Sequence, residues 1–174
     1  MDTKLKTIDD LSKEELRSLV DDLAKRWLAH DGVWFQAIEA KRGMDEAIEM
    51  DIKAWERFTV LEATRIKTML NLPERSGLQG LAQALQFRLY AVLNEQTLEW
   101  HGENKLVFSM VNCRVQAARE RKKMDAFPCR PVGIVEYSGF ARTIDDRIQT
   151  RCLSCPPERV DDQAYCVWEF TLEP

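Results

Sequence analysis

A chain of 174 residues, 45% apolar and 31% charged, is long enough to bury a core and too apolar to stay disordered. Its 25 basic and 29 acidic residues leave a net charge of −4, which excludes the strong positive field that gathers nucleic acid. No apolar run approaches the roughly 20 residues that span a bilayer, so no membrane partner is expected.

In chain order, Met1 to Asp10 is polar and lacks the apolar centre of a signal peptide, so a cytoplasmic location is expected. Ser12-Lys-Glu-Glu15 forms a capping box, followed at helical spacing by Leu16, Leu19, Val20, Leu23, Trp27 and Leu28. Asp31-Gly32 is expected to reset the chain and cap a second helix through Arg42, which Gly43 ends. The next helix, about Asp45 to Leu70, is the longest, with a stripe of Ala47, Met50, Ala54, Phe58, Leu61 and Met69; Pro73 stops it. Ser76-Gly-Leu-Gln79 is a second capping box, opening a helix to about Asn94.

The period then changes. Residues 97–100 and 105–111 form a hairpin around His101-Gly-Glu-Asn104, with Leu106, Phe108 and Met110 alternating against Val107, Ser109 and Val111. Cys113 to Lys123 reads as a basic helix, and Pro131 suits the first turn of another, reaching Ile144. Residues 147–153 and 164–172 are strands, the last with Cys166, Trp168, Phe170 and Leu172 on one face. The expected architecture is α+β within a single domain over 1–174. Residues 1–95 form a helical half, and 96–174 add an antiparallel sheet of about four strands and further helices.

The chemistry concentrates in five cysteines. An odd number in a reducing compartment argues against a disulfide framework. Cys152-Leu-Ser-Cys155-Pro-Pro157 is the sharpest motif, because a C-x2-C step turns two thiolates toward one ion. If the strands around it pair as a hairpin, Cys166 returns beside Cys152, and Cys129 completes a candidate four-thiolate set for zinc or an iron–sulfur cluster. The competing reading is reduced thiols with packing or catalytic roles.

Cys113 and Cys129 each precede a helix and an arginine (Arg114, Arg130), and both features favour the thiolate. Either is a candidate nucleophile, Cys113 foremost, the competing reading being a small buried residue at a helix cap; Arg114 and Arg130 are candidate cofactor-binding groups. His30, beside Asp31, is a candidate proton carrier, although capping is the favoured role for Asp31. Glu62 lies near the apolar stripe, as does Asp51. Turned inward, Glu62 needs a partner and becomes a candidate acid or base; turned outward, it pairs with Arg65. Arg114, Arg119, Arg121, Lys122 and Lys123 form a basic run that reads as a solvated face or anion patch. Gly133 and Gly139 allow close packing or a ligand's approach.

Several stretches carry a resemblance: Trp27-Leu-Ala-His-Asp-Gly-Val-Trp-Phe-Gln36, Asp51-Ile-Lys-Ala-Trp-Glu-Arg-Phe-Thr-Val60, Cys113-Arg-Val-Gln-Ala-Ala-Arg119, Phe127-Pro-Cys-Arg-Pro-Val-Gly133, Phe140-Ala-Arg-Thr-Ile-Asp145 and Cys152-x-x-Cys-Pro-Pro157. Together they resemble an uncharacterised family of small cytosolic bacterial and archaeal proteins with no established activity to carry over. The second half alone is similar to the L-2-amino-thiazoline-4-carboxylic acid hydrolase-like family and to vinyl-reductase-type ligand-binding domains. That resemblance implies helices against an antiparallel sheet, an apolar ligand pocket and frequent homodimers, with cysteines mapping onto Cys113, Cys129 and Cys166. The Cys152–Pro157 turn departs from the usual Gly-Asp approach to the last cysteine, which weakens the hydrolase reading and favours a metal. Three functions are therefore expected to compete: a small-molecule-binding domain with a cysteine-held metal, a hydrolase of a small cyclic C–N or C–S substrate, and a noncatalytic dimeric module.

Overall fold

The computed structural model describes residues 6–160 and 162–172. The start of the polar N-terminal stretch, residues 1–5, lies outside the described residues. The fold is α+β. A 3-10 turn (Ile8–Asp10) leads into helices α1 (Lys13–Arg42), α2 (Met44–Met69), α3 (Gly77–Leu85) and α4 (Leu89–Leu93). Strands β1 (Glu95–Trp100) and β2 (Lys105–Asn112) come next. Helices α5 (Arg114–Arg121) and α6 (Arg130–Ile144) follow, then strands β3 (Gln149–Ser154) and β4 (Cys166–Thr171). The strands form one sheet in the order β1-β2-β4-β3, each neighbouring pair antiparallel.

The alternation in β2 works as read: Leu106, Phe108 and Met110 are buried, and with Trp168 and Phe170 of β4 they make the core face. Helix α6 lies on that face. Gly133 permits its approach, because a Cβ there would stand 2.7 Å from the Trp168 indole. One turn on, Tyr137 stacks on Trp168 with ring centroids 4.7 Å apart. On the opposite side of α6, Gly139 meets α2, where a Cβ would stand 2.6 Å from Thr59 Cγ2. The Thr59 hydroxyl donates to the Glu136 carbonyl at 2.7 Å. Sheet, α6 and α2 thus stack in sequence, with α1 against α2.

Four local expectations are corrected. Residues 13–42 form one helix, not two, and Asp31 is mid-helix instead of a cap. An interior glycine costs only about 1 kcal/mol, and cooperative turns on both sides outweigh it. The α2 stripe is also rotated. Ala47, Thr59, Ala63 and Ile66 are buried, whereas Leu61 and Met69 are exposed, because close contact with α6 selects the small residues. The helix expected over 76–94 breaks at 86–88, where Arg88 turns extended (φ −71°, ψ 154°). The second capping box does not form: Asp145, at the end of α6, accepts from the Gly77 N–H at 2.9 Å, while Ser76 caps nothing.

Candidate functional site

Two of the five thiols, Cys129 and Cys155, are in contact, and Cys152 and Cys166 lie on the adjoining strands. Cys152 pairs with Trp168 across β3–β4, and Cys166 lies two residues along β4 on the same face, so the two are diagonal neighbours. A register shift between Cys152 and Ser154 then carries the chain into the Cys155 turn, which bridges back to Glu158. Cys129 stands one turn before Gly133, at the end of α6 that lies over Trp168, and its carbonyl accepts from the Gly133 N–H at 2.8 Å. The buried Cys155 Sγ is 3.3 Å from Cys129 Sγ. The neighbouring thiols of Cys129, Cys152 and Cys166, then burial, raise its pKa far above the usual thiol range.

Cys152 shifts the other way. The hydrogen bond from Cys155 lowers its pKa first, then the Arg130 guanidinium and the Ser154 N–H. Arg130 itself pairs with Glu158, the residue bridged to Cys155. The Cys129–Cys155 contact, at 3.3 Å, is shorter than the separation of two thiolates on one ion. Among the described residues no three His, Cys, Asp or Glu side chains already stand at metal-binding spacing. A tetrahedral zinc–thiolate with bonds of about 2.3 Å has edges of about 3.8 Å, so the Cys129–Cys155 contact would open by about 0.5 Å.

Cys113 is the outlying thiol, at the start of α5. Burial pushes its pKa up to about 12, against hydrogen bonds from the Gln116 and Val115 N–H groups. A thiol held neutral is a weak nucleophile, so the helix start and Arg114 do not activate it. Arg114 turns away, donating from Nε to the Leu93 carbonyl and from its backbone N–H to Asn94. The basic run is also partly internal. Arg119 is buried, paired through both Nη atoms with Glu39 at 2.7 Å and donating to the Asp125 carbonyl. With Gln116, which clasps Phe127 through both ends of its amide, it holds the loop that delivers Cys129.

Behind α6 lies a second polar centre. Arg88, 2% exposed, has Nη2 2.8 Å from Glu62 and 2.7 Å from Glu136. Its guanidinium carbon lies 4.7 Å from the Phe140 centroid, 5.4 Å from Tyr137, 5.5 Å from Tyr90 and 5.7 Å from Trp55. Glu62 therefore turns inward and pairs with Arg88, not with Arg65. Reading by periodicity missed Arg88, although it is the only charged residue between Arg75 and Glu95.

Beside this pair, α1, α2 and α4 enclose a cavity of about 170 Å³ lined by Trp27, Asp31, Asp51, Trp55, Phe58, Glu62 and Tyr90 among others. His30 is exposed and is not part of its wall. Burial, then repulsion from Asp31 and Glu136, pushes the Asp51 pKa up to about 7 against a hydrogen bond from Trp55. Glu136 also rises to about 7, through burial that the attraction of Arg88 only partly offsets.

These raised values set a pH dependence. Between about pH 4 and 7 the native state holds protons that the unfolded chain has released, so stability falls as pH rises through that window. Thermal melts are expected to show a falling midpoint from pH 5 to pH 8, and Asp51→Asn is expected to flatten part of the slope. An unchanged or rising midpoint in wild type would contradict this. Asp145 acts oppositely at lower pH: Arg147, then the Arg147 and Gly77 N–H groups, hold its carboxyl well below the usual range despite burial. Its contribution is present above about pH 4 and lost as pH falls.

A helical stack on one face of an antiparallel sheet, with thiols gathered at its β3–β4 end, defines a small cysteine-bearing α+β protein. The chain belongs to a family of unknown function, DUF6125, which matches residues 7–172. No curated protein matches it. Among the described residues, no helix is long and apolar enough to cross a membrane.

Proposed function

We propose that the protein is a cytoplasmic small-molecule-binding domain whose fold is held at one end by a zinc ion on Cys129, Cys152, Cys155 and Cys166. The observation that supports this is the 3.3 Å contact of Cys155 with Cys129, from the start of α6, beside the β3–β4 pairing that carries Cys152 and Cys166. Zinc suits the spacing better than an iron–sulfur cluster, whose thiolates bind separate irons and stand further apart. Four thiolates on one zinc leave a formal charge of −2, which Arg130 partly offsets. A closed four-ligand site has no open position, so the ion ties the β3–β4 turn to α6 and performs no chemistry. The small molecule belongs in the α1–α2–α4 cavity, behind the same helix.

Cobalt(II) tests the ligand set, because tetrahedral thiolate coordination gives intense visible bands. One equivalent is expected to develop them in wild type and in Cys113→Ser, and not in Cys155→Ser. Absent bands in wild type, or equal bands in Cys155→Ser, would overturn the proposal.

A homodimer is favoured by α1, whose Leu16, Val20 and Leu23 are exposed at four-three spacing, that of a coiled-coil seam. Sedimentation is expected to give a dimer that Val20→Asp with Leu23→Asp converts to monomer. A wild-type monomer at high concentration would rule the dimer out.

A further inference from the structure

The α1–α2–α4 cavity has a chemical bias that its reading as a ligand site does not specify. Its polar wall is made of carboxylates. Asp31 and Asp51 have no ion-pair partner among the described residues, and the third, Glu62, shares Arg88 with Glu136. The guanidinium next to the cavity, which also lies over the Trp55 and Tyr90 rings, is thus already countered by two carboxylates, and half-buried Asp51 and exposed Asp31, beside His30, line the cavity without an ion pair among the described residues. Beside them, one helical turn away on the same faces of α1 and α2, stand the rings of Trp27, Trp55 and Phe58, with Tyr90 from α4. Phe58 links two of these, stacked on Trp27 at 5.8 Å and edge-on to Trp55 at 5.4 Å. Tyr90 stacks on Trp55 at 6.2 Å. The aromatic wall is therefore a connected set. Trp27 remains 53% exposed, which leaves the wall reachable from solvent on the α1 side.

Rings interleaved with carboxylates attract a cation twice, through ring faces and through charge. The volume, about 170 Å³, lies below the ~300–1,000 Å³ of drug-sized pockets and suits a compact ligand. A bare metal ion fits less well. Rings form much of the wall, and no three candidate ligands among the described residues stand at metal spacing. An anion would meet Asp31, Asp51 and Glu62.

We propose that this cavity binds a compact organic cation of the alkylammonium class, its charge met by Asp31 and Asp51 and its alkyl groups by Trp27, Trp55, Phe58 and Tyr90. The proposal rests on the cavity being the small-molecule site, and on nothing at the thiol cluster. The raised Asp51 pKa agrees with it, since a bound cation would supply the missing countercharge.

The test is calorimetry on the full chain with three probes: choline, n-butylammonium, and 3,3-dimethylbutan-1-ol, the neutral isostere of choline. Choline or butylammonium is expected to bind at least about tenfold more tightly than the alcohol. Asp51→Asn and Trp27→Ala are each expected to weaken that binding several-fold. Both residues are partly solvent-exposed, and far-ultraviolet circular dichroism would confirm that the variants fold. Equal or tighter binding of the alcohol would overturn the cation assignment and leave the cavity as a ligand site. Binding of the cations unaltered in both variants would also overturn it, by placing them elsewhere. Binding of none of the three would overturn both readings.

Discussion

Arg88→Met is expected to destabilise the protein by about 3–5 kcal/mol, the usual consequence of removing one partner from a buried ion pair. For a chain of this size that lowers the melting midpoint by roughly 10 °C. Three effects add in the same direction. Glu62 and Glu136 lose their shared cation in a buried setting, Glu136 loses the attraction that restrains its pKa, and four aromatic rings lose a cation in contact with them. Methionine fills similar space, so the loss reads charge more than volume. A second change separates the two: Arg88→Met with Glu136→Gln is expected to recover part of the loss, because it removes a stranded carboxylate. Equilibrium urea unfolding measures both. A single-variant loss below about 1 kcal/mol would mean that Arg88 does not organise the region behind α6.

The second large effect belongs to the thiol cluster. Cys155→Ser in the metal-loaded protein is expected to remove several kcal/mol. Binding of structural zinc is worth about 10–16 kcal/mol in small zinc domains that have little else to fold them. Here an independent core of Leu81, Phe108, Phe140, Trp168 and Phe170 remains. The variant should therefore stay folded but melt lower, with the β3–β4 turn and the start of α6 opening first. A chelator added to wild type should lower its midpoint toward that of the variant and leave the variant unmoved. If the thiols merely pack, Cys155→Ser should lose only about 1–2 kcal/mol and the chelator should do nothing.

The two centres are joined through α6. Its start carries Cys129 to the thiols, Gly133 and Tyr137 seat it on Trp168, and Glu136 on its other side meets Arg88. Loosening the thiol end is therefore expected to reach the cavity. Alkylammonium binding after chelation would report that coupling.

What was legible in the sequence follows from which interactions are local. Strand alternation in Leu106-x-Phe108-x-Met110 and the Ser12–Glu15 box are written in neighbouring residues, and both appear as read. The β3–β4 pairing that brings Cys166 near Cys152 was also readable. C-x2-C marks a turn, and antiparallel pairing returns Cys166 beside Cys152.

The rest depended on partners distant in sequence. Asp145 replaces Ser76 as the cap of α3 from 68 residues away. The buried face of α2 is chosen by Gly139 on α6, not by the most apolar stripe. Arg88 breaks a helix because two carboxylates on other helices hold its side chain. Apolar periodicity carries no trace of such a residue. A lone charge in a long uncharged stretch does, and that signal is present at Arg88.

The most direct measurement is the metal content of protein purified anaerobically without chelators, by native mass spectrometry of wild type, Cys113→Ser and Cys155→Ser. One zinc per chain is expected in the first two and none in the third. Metal-free wild type that stays metal-free after incubation with zinc, yet folds with the same midpoint, would contradict the proposed centre.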